Sequence, residues 1–349
     1  MSESNKRVRV AVIGASGYIG AELVRLLASH PAADIVALTA DRNAGHSLAT
    51  LFPHLATMEL PRLIKVDDIV WRDVDFVFCC LPHGASQELV LGFPDHVRIV
   101  DLSADFRLSV ELYEAWYKLS HLAPDLQKEA VYGLTEIARD NIRSPRLVAN
   151  PGCYPTSILL PLIPLVENHL IEETGIIIDS KSGVSGAGRS LRESSLHGEV
   201  SEGAHAYGIS DHFHTAEIEQ SLSVAAGHSV QVSFTPHLLP MNRGILSTIY
   251  VQAKGGTTID ELMSALKDRY VDEHFVRIVD TDVVPHTRHV RGSNYCLIGL
   301  YADRITGRAI ICSVEDNLVK GGSGQAIQNM NVMMGLEETW GLDQKPIFP

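Results

Sequence analysis

The apolar run Val8–Ile13 empties directly into Gly14-Ala-Ser-Gly17-Tyr-Ile-Gly20, and this junction constrains the chain more than any other feature. Ile19, Leu23, Leu26 and Leu27 then recur at helical spacing until His30-Pro31 stops the run. A strand that ends in small residues and opens a helix lets the backbone approach a pyrophosphate, whose charge the helix N-terminus stabilises. The spacing is G-x-x-G-x-x-G, and the plainer alternative is a tight turn that packs helix on strand. Further strand-like runs at 35–39, 76–81, 97–102 and 146–149 each end in a loop rich in Gly, Pro, Ser or Asp. This alternation predicts an α/β fold with a parallel sheet, a Rossmann-type dinucleotide-binding domain.

Ligands of such sheets bind outside the carboxyl ends of the strands, here 14–20, 39–42, 81–86, 103–107 and 150–153. Gly14, Ser16, Gly17, Tyr18, Ile19, Gly20, Thr39, Arg42, Pro82 and Gly84 are the expected nucleotide contacts. At the end of the second strand Asp41 would accept from a ribose hydroxyl and Arg42 would hold a 2′-phosphate. Both are present, so these residues leave NAD(H) and NADP(H) open.

Beyond residue 155 the pattern changes. Strand-like runs at 175–181, 229–237, 244–253, 275–279, 295–301 and 308–314, the last two flanking Thr306-Gly307, predict a second α+β domain built on a mixed or antiparallel sheet. Thr258 with Glu261 forms a capping box opening a helix to about Tyr270. A last helix from Ser323 carries Ala326, Ile327, Met330, Met333 and Met334 on one face and needs a surface to cover. A chain of 349 residues accommodates two such domains.

Asn150-Pro-Gly-Cys153-Tyr-Pro-Thr156 follows a strand and precedes an apolar stretch, 157–170, expected to be helical in part, with Pro161 and Pro164 kinking it or delaying its start. A thiol at a helix N-terminus is biased toward thiolate, below its reference pKa near 8.5. Cys79, Cys80, Cys296 and Cys312 lie inside apolar runs and read as inert, reduced core thiols. Acid–base chemistry points to the histidines of Asp211-His212-Phe213-His214, just before a helix near Thr215. An H-x-H pair also occurs in metal sites, but no further ligand falls at a metal spacing, and none is assigned. Tyr207 is a candidate orienting group or a packing residue. Arg107, and Arg189 at the end of the glycine-rich 182–189 segment with Ser185 and Gly186, are anion-binding candidates or surface arginines pairing with an acidic chain.

A formal net charge of −13 without Lys or Arg runs disfavours nucleic acid and anionic membrane as partners. No apolar stretch reaches about 18 residues and the N-terminus lacks a signal-peptide layout, so a cytoplasmic location is expected.

Taken together, GASGYIG, LPHG, SADFR, NPGCYPT, SGVSGAGR, HFHTAEIEQ and DNLVKGGSGQAIQN resemble the N-acetyl-γ-glutamyl-phosphate reductases over nearly the whole chain, with the aspartate-semialdehyde dehydrogenases as wider relatives. The resemblance implies that Cys153 attacks an acyl phosphate, that phosphate leaves, and that NADPH reduces the thioester to N-acetylglutamate semialdehyde, with His212 as acid and base and His214 beside the substrate. It also implies a homodimer or homotetramer, and a last helix returning to the nucleotide domain. The domains would then be 1–152 plus 320–349 and 153–319, with Asn317 and the following Lys-Gly-Gly at the nicotinamide. Asp41 departs from the small or neutral residue expected in the family, and Ala216 from a common proline. Nearby alternatives are reductases of carrier-linked amino-adipyl or glutamyl phosphate, or of aspartyl phosphate. More distant ones are a short-chain dehydrogenase using Tyr250 and Lys254, which needs one helix face where the sequence reads as strand, and a non-catalytic dinucleotide sensor.

Overall fold

The computed structural model describes residues 7–349. Two compact units share the chain: residues up to Pro151 with Gly322–Asp343, and Gly152–Gly321 with Gln344–Pro349. The final six residues thus belong to the second unit, where Ile347 N donates to Arg291 O.

The first unit is a seven-stranded, wholly parallel sheet in the order β3-β2-β1-β4-β5-β7-β6. Its strands are β1 (Val8–Ile13), β2 (Ala33–Thr39), β3 (Leu63–Ile64), β4 (Phe76–Cys79), β5 (Arg98–Asp101), β6 (Val131–Tyr132) and β7 (Leu147–Ala149). The helices are α1 (Tyr18–Leu27), α2 (Leu48–Leu51), α3 (Ser86–Leu91), α4 (Val110–Tyr117), α5 (Pro124–Glu129) and α6 (Thr135–Ile142). Central strands buried on both faces need apolar side chains at every position, and Val10, Ala11, Val12, Ile13 and Phe76–Cys79 are fully buried.

The second unit holds a mixed sheet in the order β12-β13-β14-β11-β8-β10-β9. Its strands are β8 (Ile176–Gly183), β9 (His205–Ala206), β10 (Val232–Leu239), β11 (Ile245–Gln252), β12 (Val276–Ile278), β13 (Cys296–Ala302) and β14 (Arg308–Glu315). Its helices are α7 (Cys153–Glu167), α8 (His197–Val200), α9 (His214–Ala226) and α10 (Ile259–Tyr270), the last opened by the Thr258/Glu261 capping box. One row of side chains, including Ile178, Ser180, Ile249, Val251 and Ile311, is buried on the helix side. The alternate row, with Ile177, Asp179, Lys181, Tyr250 and Cys312, is half-buried or exposed. Tyr250 lies within β11, where it and Lys254 share no helix face.

α7 runs unbroken through Pro161 and Pro164. Pro164 cannot donate to the carbonyl of Leu160, and the buried Tyr270 hydroxyl donates to it instead. The last helix, α11 (Gly324–Met333), is buried along its whole length and follows a π-turn at Val319–Ser323. Within the first unit Ser323 Oγ donates to Ile19 O at 2.8 Å, and Asn329 ties Gly133 O (2.9 Å), Thr135 Oγ1 (2.8 Å) and Asn150 Oδ1 (3.1 Å). Among the described residues no helix is long and apolar enough to cross a membrane.

Candidate active site

In the first unit the glycine loop is built around three different needs. Gly14 has φ +81°, and a Cβ there would lie 2.4 Å from Cys80 O. A Cβ on Gly20 would lie 2.5 Å from Gly14 O, so both glycines are demanded by the turn and by helix–strand packing. Gly17 is different: its φ of −85° suits any residue, and the nearest atom to a Cβ would be 3.7 Å away. It caps α1 with no side-chain partner, leaving the first-turn amides of Tyr18, Ile19 and Gly20 without intrahelical acceptors. A cradle open at Gly17 above a helix N-terminus suits a pyrophosphate. Thr39 is buried, its Oγ1 accepting from Gly14 N at 3.2 Å, so it fixes the loop. Asp41 and Arg42 both stand exposed just past β2. Ser16 is half-buried and Tyr18 exposed in the same loop. Pro82 and Gly84 follow β4, with Gly84 N donating to Asp105 Oδ1 at 2.6 Å. Arg107 is buried in this unit, its Nη2 donating to Leu102 O at 2.9 Å.

In the second unit Cys153 is the first residue of α7, half-buried, with Gly152 extended as N-cap and no side-chain cap. The first-turn amides of Cys153 and Tyr154 therefore place the positive end of the helix at the sulfur. Gly152 N donates to the buried carboxylate of Glu217, 2.7 Å away on α9, which fixes the chain entering Cys153. Gly321 packs so closely that a Cβ would lie 2.7 Å from Cys153 Cβ and 2.5 Å from Glu315 Oε1. Of the other cysteines, Cys79 and Cys296 are sealed in the core, whereas Cys80, just beyond β4, and Cys312, on the outward row of β14, are half-buried; none forms a disulfide.

His212 is buried, stacked on Phe213 with ring centroids 4.6 Å apart and edge-on to Tyr154 at 5.8 Å. Burial pushes its pKa down to about 4, with nearby Asp211 opposing weakly. Its Nδ1 accepts the backbone N–H of His214 at 3.2 Å, so the neutral ring carries its proton on Nε2 and presents a donor. Gly208, with φ +52°, lies under this ring: a Cβ would be 3.0 Å from His212 Cβ. His214 is buried beside it at 4.9 Å between ring centroids. Tyr154 and Tyr207 share a hydroxyl–hydroxyl bond of 2.9 Å. Burial, and secondarily the charge of Cys153, raise the Tyr207 phenol to about 12, and Tyr154 is likewise raised, so both remain neutral donors.

Asn317 is buried, accepting from Gly244 N at 2.8 Å and donating to Ser185 Oγ at 2.9 Å. It thereby joins the Ser185–Gly186 turn to the start of β11, while Arg189 lies exposed beyond it. The second unit thus gathers Cys153, Tyr207, His212 and His214 around Tyr154, and Ser185 around Asn317. Glu217 and Gly208 were not singled out by sequence reasoning, and Gly321 was named only within the Lys-Gly-Gly expected at the nicotinamide, not as a residue packed on Cys153. Glu217 was visible only as a carboxylate in the first turn of the helix after the histidines, and the glycines carry no signal of what they pack against.

The first unit, a parallel sheet whose glycine loop leaves a cradle at a helix N-terminus, has the build of a nicotinamide-dependent dehydrogenase, and the second unit holds Cys153 in the first turn of α7. Residues 9–144 match the family model described as semialdehyde dehydrogenase, NAD binding domain, and residues 153–317 match that of the dimerisation domain. Solved structures with this fold include aspartate semialdehyde dehydrogenase II from Vibrio cholerae (TM-score 0.73, 16% identity, covering 94% of this chain and 99% of that one). Another is aspartate semialdehyde dehydrogenase with NADP from Candida albicans (TM-score 0.65, 15% identity, 94% and 98%). Among curated relatives, N-acetyl-gamma-glutamyl-phosphate reductase of Rhodospirillum rubrum is 60% identical over 99% of this chain and 100% of its own length. A probable chloroplastic N-acetyl-gamma-glutamyl-phosphate reductase of Oryza sativa subsp. japonica is 58% identical over 99% and 84%. The chain belongs to the N-acetyl-gamma-glutamyl-phosphate reductase family of the semialdehyde dehydrogenases.

Proposed function

We propose that the protein reduces N-acetyl-γ-glutamyl phosphate to N-acetylglutamate 5-semialdehyde and phosphate, with NADPH, in arginine biosynthesis. The observation that carries this is Cys153 at the uncapped N-terminus of α7 in a chain 60% identical to a reductase of that name. The Cys153 thiolate attacks the acyl carbon, the bond to the phosphate oxygen breaks, and phosphate leaves a thioester on the sulfur. NADPH, when bound, supplies the hydride that reduces this thioester. His212 donates a hydrogen bond from Nε2–H to the oxygen that gains charge, and as the C=O bond re-forms the C–S bond breaks to return the thiolate. Tyr207, bonded to Tyr154, adds a neutral donor that feels the charge of Cys153.

The open cradle at Gly17 supports nucleotide binding by Gly14, Ser16, Tyr18, Ile19 and Gly20, and the family resemblance assigns Pro82, Gly84 and Asn317 to the cofactor. Arg42, exposed past β2, is placed by chain position to meet a 2′-phosphate. Arg107, Arg189, Ser185 and Gly186 are assigned to the anionic groups of the substrate, and His214 is assigned to substrate binding as well. The half-exposed row of the mixed sheet is where a second copy docks, as a homodimer or a tetramer built from it, which accords with the dimerisation-domain match. Five cysteines without a disulfide, one of them proposed as the nucleophile, suit the reducing cytoplasm.

The test is phosphate-dependent reduction of NADP⁺ with N-acetylglutamate semialdehyde. Turnover is expected; no turnover, with activity on another semialdehyde, overturns the substrate assignment.

A further inference from the structure

The SADFR segment, 103–107, contains a carboxylate that the reaction does not use. Asp105 has no exposed surface, and its two oxygens accept from two backbone amides of a single loop: Gly84 N to Oδ1 at 2.6 Å and Ser86 N to Oδ2 at 2.8 Å. Ser86 begins α3, so the fork closes the loop after β4 and caps the following helix at once. The clamp is itself held. Asp105 N donates to Ser103 Oγ at 3.1 Å, Ser103 Oγ to Asp101 Oδ2 at 2.6 Å, and Ser86 Oγ to Asp101 Oδ1 at 2.9 Å. Gln87 Nε2 donates to Asp105 O at 3.1 Å, and the His121 ring meets the same carbonyl at 3.1 Å. The clamped loop leaves β4 against the glycine cradle: Cys80 O and Leu81 Cδ2 are the neighbours a Cβ on Gly14 would meet, at 2.4 and 3.4 Å.

We infer that Asp105 is a positioning residue for the nucleotide: it holds the 82–86 loop in its binding conformation before the cofactor arrives and so sets cofactor affinity. The inference rests on the proposed reading that Pro82 and Gly84 meet the cofactor. A loop ordered in advance spares binding the entropy of ordering it. A neutral core residue could fill the same volume, but only a carboxylate accepts from both amides. An asparagine offers one acceptor oxygen and turns its NH₂ toward the other N–H.

The test is Asp105→Asn in the full-length enzyme, with NADPH affinity read by fluorescence titration and kcat at saturating NADPH. Loss of a charge-assisted bond predicts a dissociation constant raised on the order of 10-fold, with kcat at saturation within about 3-fold of wild type. An unchanged dissociation constant overturns the inference, as does a kcat loss with affinity intact. Amide NMR on the wild type keeps it testable should the variant not fold: Gly84 and Ser86 amides must exchange slowly without cofactor, and exchange at open-loop rates overturns it. NADPH must also shift the amides of His83 to Ser86. If it does not, the reading of this loop as a cofactor contact fails; if it does while the variant binds normally, only the role of Asp105 fails.

Discussion

Replacing His212 by glutamine should change how stability depends on pH. In the folded protein burial holds the imidazole at about 4 rather than its ordinary 6.5. The unfolded chain therefore binds a proton that the folded chain refuses, and stability falls as pH drops through 6.5 toward 4. Between pH 7 and pH 5 this one group removes about 2 kcal/mol. Asp101 acts in the opposite direction: burial, with Asp105 nearby, raises it from 3.8 to about 6, so the folded state gains about 1 kcal/mol over the same interval. The raw wild-type curve mixes the two, and the difference between wild type and His212→Gln isolates the ring. Urea unfolding at pH 7 and pH 5, at fixed protein concentration, should show the variant losing about 2 kcal/mol less than wild type. Equal losses in both proteins would mean the ring titrates normally, and the neutral Nε2–H donor would have to be abandoned.

Other substitutions probe the remaining parts of the site. Cys153→Ala should abolish turnover while NADPH binds with unchanged affinity by titration; measurable turnover would remove the thioester from the mechanism. His212→Ala should lower kcat by about 10² to 10⁴ fold in the steady-state assay. Gly208→Ala, which places a methyl 3.0 Å from His212 Cβ at φ +52°, should lower kcat and cost about 1–2 kcal/mol by urea unfolding.

Much of this arrangement was legible in the sequence because it depends on local pattern. The parallel strands are short apolar runs closed by loops rich in Gly, Pro, Ser or Asp, and Cys153 follows one of them, so the carboxyl-end rule drew attention to the glycine loop and to this cysteine without any tertiary information. The capping box at Thr258 and the turn at Thr306-Gly307 were equally local. What escaped depends on partners distant in sequence. Pro161 and Pro164 predict a kink only until Tyr270, 110 residues from Leu160, supplies the missing donor. Glu217 reaches Gly152 across 65 residues, and Gly321 is required because Cys153 and Glu315 lie against it. In SADFR the arginine drew attention as an anion ligand, whereas the aspartate two residues earlier carries the clamp on the 82–86 loop.

A burst experiment addresses the thioester most directly. Enzyme mixed with N-acetylglutamate semialdehyde and NADP⁺ in phosphate-free buffer should release about one NADPH per active site and then stall, with the acyl group found on Cys153 by peptide mass spectrometry. Continuous turnover without phosphate, or an acyl group on any other residue, would contradict the account.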